Sequence, residues 1–332
     1  MKAIRSHTSS LTVATLFSLT FQLHAQHYPA GAEGIRAASL PEPGFTIRDD
    51  NSFYYSDKTT GFWNILSDFS EFNYVQTPRL AWVSEWKILE AHYGIAVRIP
   101  FAYKEISYSP NYSSSGGLGS FPGQPGSAPT KVTLDRFGLT DMEVEPFMLS
   151  WNLKHFDVVL GYSFWAPTGD YDPNVLPFLR LGNGYWTHAI KLGGTWYPDS
   201  EKTWALSLLG HYEFNTWQYL QTGPLPGGGV GQQGDTPGDV FTLEWAASKT
   251  FAKSINVGLT GYYQQQVTDT TVPSYFVPTY LNQRVDVAGI GPEIGVSVPK
   301  WGLAASLRYA YEFTANDRPQ GNLITLTIMK TF

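Results

Sequence analysis

Residues 321–332 read Gly321-Asn322-Leu323-Ile324-Thr325-Leu326-Thr327-Ile328-Met329-Lys330-Thr331-Phe332, and this stretch decides the fold. Ile324, Leu326, Ile328, Lys330 and Phe332 fall on one face of an extended chain, and Leu323, Thr325, Thr327, Met329 and Thr331 fall on the other. That is a period of two, hence a strand; a helix would scatter the same residues around a cylinder. Upstream the pattern recurs with sharper contrast. Trp204, Leu206, Leu208, Tyr212 and Phe214 alternate with Ala205, Ser207, His211, Glu213 and Asn215. Phe241, Leu243, Trp245 and Ala247 alternate with Thr242, Glu244 and Ser248; Ile255, Val257, Leu259 and Tyr263 with Asn256, Thr260, Gln264 and Gln266; and Trp301, Leu303, Leu307, Tyr309, Tyr311 and Phe313 with Gly302, Ser306, Arg308 and Glu312.

About twelve such segments can be drawn, at roughly 44–56, 76–87, 91–107, 141–152, 155–166, 186–197, 203–215, 239–251, 254–267, 284–298, 301–314 and 321–332. Each is long enough for a tilted membrane strand of about 9–11 residues. The connections alternate in kind. After odd strands they are long and rich in Gly, Pro and Ser (58–75, 108–140, 167–185, 216–238, 268–283), and after even strands they are tight turns near 88–90, 153–154, 198–202, 252–253 and 299–300; only 315–320 is intermediate. Long external loops, short periplasmic turns and an even strand count define a bacterial outer-membrane barrel with both termini periplasmic. Closure is what makes it viable, because hydrocarbon tolerates no open row of amides. Pro100, Pro146 and Pro292 fall inside proposed strands, where bulges or shifted boundaries are expected. A terminal Phe332 on such a strand matches the assembly signal read by the barrel-assembly machinery.

The first residues set the compartment. Lys2 and Arg5 precede an apolar run from Leu11 to Leu23 and the small residue Ala25, so residues 1–25 read as a cleaved signal peptide, 26–43 as a periplasmic segment or lumenal plug, and 44–332 as the barrel. Removing Lys2 and Arg5 from 22 basic and 28 acidic residues leaves a net charge of −8, which argues against nucleic acid as a partner. With no cysteine, disulfides, thiolate metal sites and cysteine nucleophiles are excluded. Charged residues make up only 15% of the chain and aromatics another 15%, the balance that a lipid-facing band with aromatic girdles demands.

Several stretches resemble the outer-membrane family named for the meta-pathway of phenol degradation. They are Gly31-Ala32-Glu33-Gly34-Ile35-Arg36-Ala37-Ala38-Ser39-Leu40-Pro41, Pro167-Thr168-Gly169-Asp170-Tyr171-Asp172-Pro173, Gly261-Tyr262-Tyr263-Gln264-Gln265-Gln266 and Asn316-Asp317-Arg318-Pro319. The loop 216–238, with Pro224, Pro226 and Gly227-Gly228-Gly229, departs from the family pattern. The resemblance implies passage of small hydrophobic or aromatic compounds, and it carries over no binding residues.

On the barrel reading the polar face of each strand lines the lumen. Arg98, Lys191, Glu244 and Arg308 are expected near mid-height, with His211, Glu213, Gln264, Gln266 and Glu312 in the outer half, forming either a selectivity zone or a salt-bridged filling. If 26–43 is a plug, Glu33 or Arg36 should pair with a wall charge. The aromatics Trp63, Tyr108, Tyr112, Phe121, Tyr171, Phe178, Tyr185, Trp217 and Tyr219 belong to an interface belt or to an external vestibule. Asp170 and Asp172 are read as turn residues rather than calcium ligands. Catalysis is not expected: His27, His92, His155, His188 and His211 have no accompanying nucleophile spacing, and no phosphate or dinucleotide loop is present. The expected protein is a passive channel with no cofactor or metal, in contact with outer-membrane lipid and able to take a small hydrophobic ligand. A filled, non-transporting barrel, an outer-membrane hydrolase and a secreted β-sandwich are the alternatives.

Overall fold

The computed structural model describes residues 26–61, 64, 66–110, 131–172, 175, 179–224, 230–271 and 284–332. The expected signal peptide and the aromatics Trp63, Tyr112, Phe121 and Phe178 lie outside them. The strands are β1 (Gly44–Thr59), β2 (Leu66–Ile88), β3 (Ala91–Arg98), β4 (Phe101–Pro110), β5 (Val132–Leu139), β6 (Met142–Asn152), β7 (Phe156–Ala166), β8 (Thr187–Trp196), β9 (Trp204–Asn215), β10 (Gln218–Pro224), β11 (Val230–Asp235), β12 (Val240–Phe251), β13 (Ile255–Gln266), β14 (Asp286–Val298), β15 (Leu303–Asn316) and β16 (Pro319–Thr331).

Every pairing is antiparallel, and β1 bonds both to β2 and to the last strand, β16, so the sheet closes on itself. The staves number twelve, because β3 and β4 are two halves of one and β5 and β6 two halves of another. β2 pairs with β3 over its second half and with β4 over its first. The break is at Ile99-Pro100, where proline has no donor to give the ladder. The Ile99 amide still donates to the Pro78 carbonyl (3.0 Å), and the Thr140 amide to that of Pro100 (2.9 Å), so the wall is not interrupted. The bulge expected at Pro146 is found, as a register shift between Val144 and Phe147. That expected at Pro292 lies instead at Ala288/Gly289, while Pro292 keeps its place opposite Leu259.

Two loops are shorter than the sequence suggests. β2 begins at Leu66, ten residues before the expected start, and β5 converts the end of the 108–140 loop into wall. The loop 216–238 holds a hairpin of its own, β10 paired with β11.

The core of this fold is inside out. Along β9, Trp204, Leu206, Leu208, Tyr212 and Phe214 are exposed, whereas Ala205, Ser207, Leu209, His211 and Glu213 are buried. Water would penalise such an outer face, whereas hydrocarbon solvates it. Trp86, Trp196, Trp301 and Phe332 ring the short-turn end. Among the described residues no helix is long and apolar enough to cross a membrane.

The turn between β2 and β3 makes a local prediction. Ile88 pairs with Ala91, so Leu89 and Glu90 form a two-residue loop, and both have positive φ, 50° and 65°. Such a turn favours Asn-Gly, and a left-handed non-glycine residue costs about 1–2 kcal/mol. Replacing Leu89→Asn and Glu90→Gly together is expected to raise unfolding stability by about 1 kcal/mol in urea titration of vesicle-embedded barrel. An unchanged or lowered midpoint would show that the turn is not under this strain.

Candidate functional site

The register of the first strands sets up an electrostatic problem. Arg48 on β1 lies opposite Arg79 on β2, Arg79 opposite Arg98 on β3, and Arg98 opposite Glu143 on β6. Three guanidinium groups therefore stand side by side on the inner face, where like charges in register repel and low dielectric amplifies the repulsion. The counter-charge comes from outside the sheet. Glu33, in the segment that precedes β1, accepts from Arg48 Nη1 (2.7 Å), from Arg79 Nη1 (3.5 Å) and from Arg98. Glu143 holds Arg98 (2.5 Å), Glu145 holds Arg79 (2.5 Å) and Lys191, and Asp50 holds Arg48 (2.9 Å). With Glu33 in place the cluster has four cations and four carboxylates. The Glu33 carboxylate is thus enclosed by three guanidinium groups, whose opposite charge favours its ionised form.

The rest of the segment is held mainly through its backbone. Glu213 Oε2 accepts from the amides of His27 (2.8 Å) and Tyr28 (3.2 Å); Glu244 accepts from those of Ala32 (2.8 Å) and Glu33 (3.0 Å); and Glu293 accepts from that of Ile35 (2.9 Å). Arg48 and Arg308 both donate to the Ala32 carbonyl, each at 3.0 Å. At one end His27 lies between Asp141 (2.8 Å) and Thr187 (2.7 Å), and Asn183 donates to the Gln26 carbonyl. At the other end the Ser39 hydroxyl donates to Asp157 (2.8 Å), and Arg36 donates to the carbonyl of Lys202 (2.9 Å) and the hydroxyl of Thr250. Asn183 belongs to the long-loop end and Lys202 to a tight turn, so residues 26–43 run down the inside of the barrel from one end to the other.

The Asp141, His27 and Thr187 chain has the order of a hydrolase triad. The Thr187 hydroxyl is, however, fully buried and also bonded to Asn215, so the arrangement fastens the segment rather than presenting a nucleophile. Below Glu33, toward the short turns, lies a cavity of about 500 Å3. Leu40, Val83, Met148 and Leu209 contribute apolar groups to its lining, interleaved with the charged Arg48, Arg79, Asp157, Lys191, Lys202 and Glu293. Its size suits a small ligand.

All nine expected lumen residues are buried: Arg98, Lys191, His211, Glu213, Glu244, Gln264, Gln266, Arg308 and Glu312. Six of them touch residues 26–43 directly: Arg98, His211, Glu213, Glu244, Gln264 and Arg308. Lys191 stands one step behind, on Glu145. Gln266 turns toward Thr268 and Thr270, and Glu312 gathers Arg318, Tyr54, Tyr262 and the Gly321 amide in a cluster of its own. Glu33 meets wall charges, whereas Arg36 meets a carbonyl and a hydroxyl instead. Of the loop aromatics, Tyr185 is buried edge-on against His27 (5.0 Å), and Trp217 is exposed. Asp170 is bound by Arg136 (2.7 Å).

Reasoning from sequence did not single out Arg48, Arg79, Glu143, Glu145, Asp157 and Glu293. Their signal was present all the same: each is a charge on a strand otherwise free to be apolar.

The family model described as "Putative MetA-pathway of phenol degradation" matches residues 58–328. A search of curated proteins returns no match. Among solved structures, an outer membrane channel from Pseudomonas putida F1 is 12% identical and covers 92% of this chain and 100% of its own, with a TM-score of 0.64. The toluene transporter TbuX of Ralstonia pickettii is 12% identical, covering 90% of this chain and 92% of its own, with a TM-score of 0.45. The translocator domain of the autotransporter NalP from Neisseria meningitidis is 10% identical, covering 88% and 90%, also at 0.45. At these identities the first likeness shows the barrel fold and nothing narrower, and the other two carry no argument.

Proposed function

The chain belongs to the family of the meta-pathway of phenol degradation, and from that premise we propose that it is a passive outer-membrane channel for small hydrophobic or aromatic compounds, closed at rest by residues 26–43. The observation that carries this reading is the way the lumen is filled. The occluding segment shares no strand pairing with the wall and is held by ion pairs and amide contacts, so it can leave without unpairing one stave. Behind it lies the cavity, to whose lining Leu40, Val83, Met148 and Leu209 contribute apolar groups among charged ones. In this proposal residues 1–25 are a cleaved signal, the short turns face the periplasm together with the first and last residues of the wall, Gly44 and Phe332, and Phe332 is the signal for the assembly machinery. Arg98, His211, Glu213, Glu244, Gln264 and Arg308 act as binding groups for the plug, and Lys191 positions Glu145 behind them.

A filled, non-transporting barrel is the second reading, favoured by the charge balance of the Glu33 cluster. Flux separates the two. Proteoliposomes are expected to take up toluene or phenol at least several-fold faster than protein-free vesicles, and to pass sugars of similar size poorly. If no probe crosses faster than in protein-free vesicles, the barrel is a filled one.

A further inference from the structure

The plug places one side chain in a slot that suits something else. Tyr28 is wholly buried, packed on Trp165 and Ala189. Its ring lies flat on His211, with centroids 3.9 Å apart and planes 23° from parallel. Its hydroxyl donates to Glu244 Oε1 at 2.9 Å. From its β-carbon outward a tyrosine is 4-methylphenol, so the wall already holds a phenol by the three contacts that would recognise one: a stacking plate, an apolar edge, and a carboxylate where the hydroxyl points.

The slot also has more polar capacity than Tyr28 uses. Both ring nitrogens of His211, Glu213 Oε1 and Gln264 Oε1 are buried without a hydrogen-bond partner. Each of these residues touches Tyr28: His211 through its ring, Glu213 through the Tyr28 amide, and Gln264 by donating to the Tyr28 carbonyl at 2.9 Å. Leaving buried polar atoms unpaired is costly, so each of these calls for a partner, which a water or a polar group of a ligand can supply.

We propose that the slot formed by His211, Glu244, Trp165, Gln264 and Glu213 is a binding subsite for hydroxylated aromatic molecules, filled at rest by Tyr28 as their stand-in. A phenol arriving from the long-loop side then competes with Tyr28, and its binding releases that end of the plug. The role in passage rests on the channel reading; the binding itself does not. A purely apolar ring is a poor substitute, because it takes one donor from Glu244 and leaves it only the Ala32 and Glu33 amides, and a site built around a hydroxyl rejects the analogue that lacks it.

The test uses the full chain purified in detergent. Tyr28→Ala vacates the slot while leaving Glu33 and Ser39 to hold the rest of the plug. By calorimetric titration, 4-methylphenol is expected to bind this variant one to one and about tenfold or more tighter than toluene. A second change, Glu244→Gln, is expected to abolish most of that preference. Equal affinity for the two ligands, or a preference untouched by Glu244→Gln, would overturn the proposal. If Tyr28→Ala does not give a heat-modifiable barrel, the wild-type protein serves: 4-methylphenol, and not toluene, should perturb the Trp165 emission, isolated by difference from Trp165→Phe, and no perturbation overturns the proposal. Absence of flux with hydroxyl-dependent binding intact would remove the channel reading and leave the slot standing.

Discussion

Glu33→Gln is expected to open the barrel. In planar bilayers the wild-type protein should be mostly silent, and the variant should show a raised open probability and conductance. Arg48, Arg79 and Arg98 occupy adjacent register positions, and among the described residues Glu33 is the one carboxylate paired with all three. Without its charge the cluster has four cations against three carboxylates, and breaking one side of a buried ion pair costs about 3–5 kcal/mol. Here that cost falls on docking, because the guanidinium groups can regain water as soon as the segment leaves. Plug occupancy should therefore fall by roughly a hundred-fold or more. If Glu33→Gln is as silent as the wild type while Tyr28→Ala and Ser39→Ala are also silent, the segment is a fixed filling and not a plug.

How much of this was legible in the sequence depends on where lipid acts. β9, β12, β13 and β15 could be read almost residue by residue, because hydrocarbon outside and polar lumen inside force a large-and-greasy residue to alternate with a small-or-polar one. The first third of β2 lacked that signal. Asp68 is exposed, Ser70 is small and polar, and the register shifts between Ser67 and Ser70, so no greasy residue alternates there. β5 was hidden because it lies across a Thr140-Asp141 break from the half that was recognised. The site divided along another line. Inward orientation followed from parity, which is why all nine lumen residues are buried. Partnership did not. Glu33 and Arg98 are 65 residues apart in the chain, and what brings them together is the register of three staves and the path of a segment with no periodicity to read. Local pattern fixes which face a side chain takes, whereas closure and shear fix whom it meets.

The second large effect concerns the outer face. Leu208, mid-way along β9, is 54% exposed, and Leu153, in the tight turn after β6, is 55% exposed. On exposure alone Leu208→Arg and Leu153→Arg should be equally harmless, each within about 0.5 kcal/mol as for an ordinary surface change. In a bilayer they should differ sharply. An arginine on the lipid face at mid-height costs about 2–4 kcal/mol, and near the interface about 0–1 kcal/mol. Leu208→Arg is therefore expected to lower the urea midpoint of the vesicle-embedded barrel strongly and to slow its assembly, with Leu153→Arg close to wild type. Both sites have their neighbours and ladder bonds left intact, so the difference isolates the solvent around the wall. Equal midpoints for the two variants would mean that no hydrocarbon touches β9. The inside-out distribution of apolar residues would then have no physical account, and the channel would have no membrane to cross.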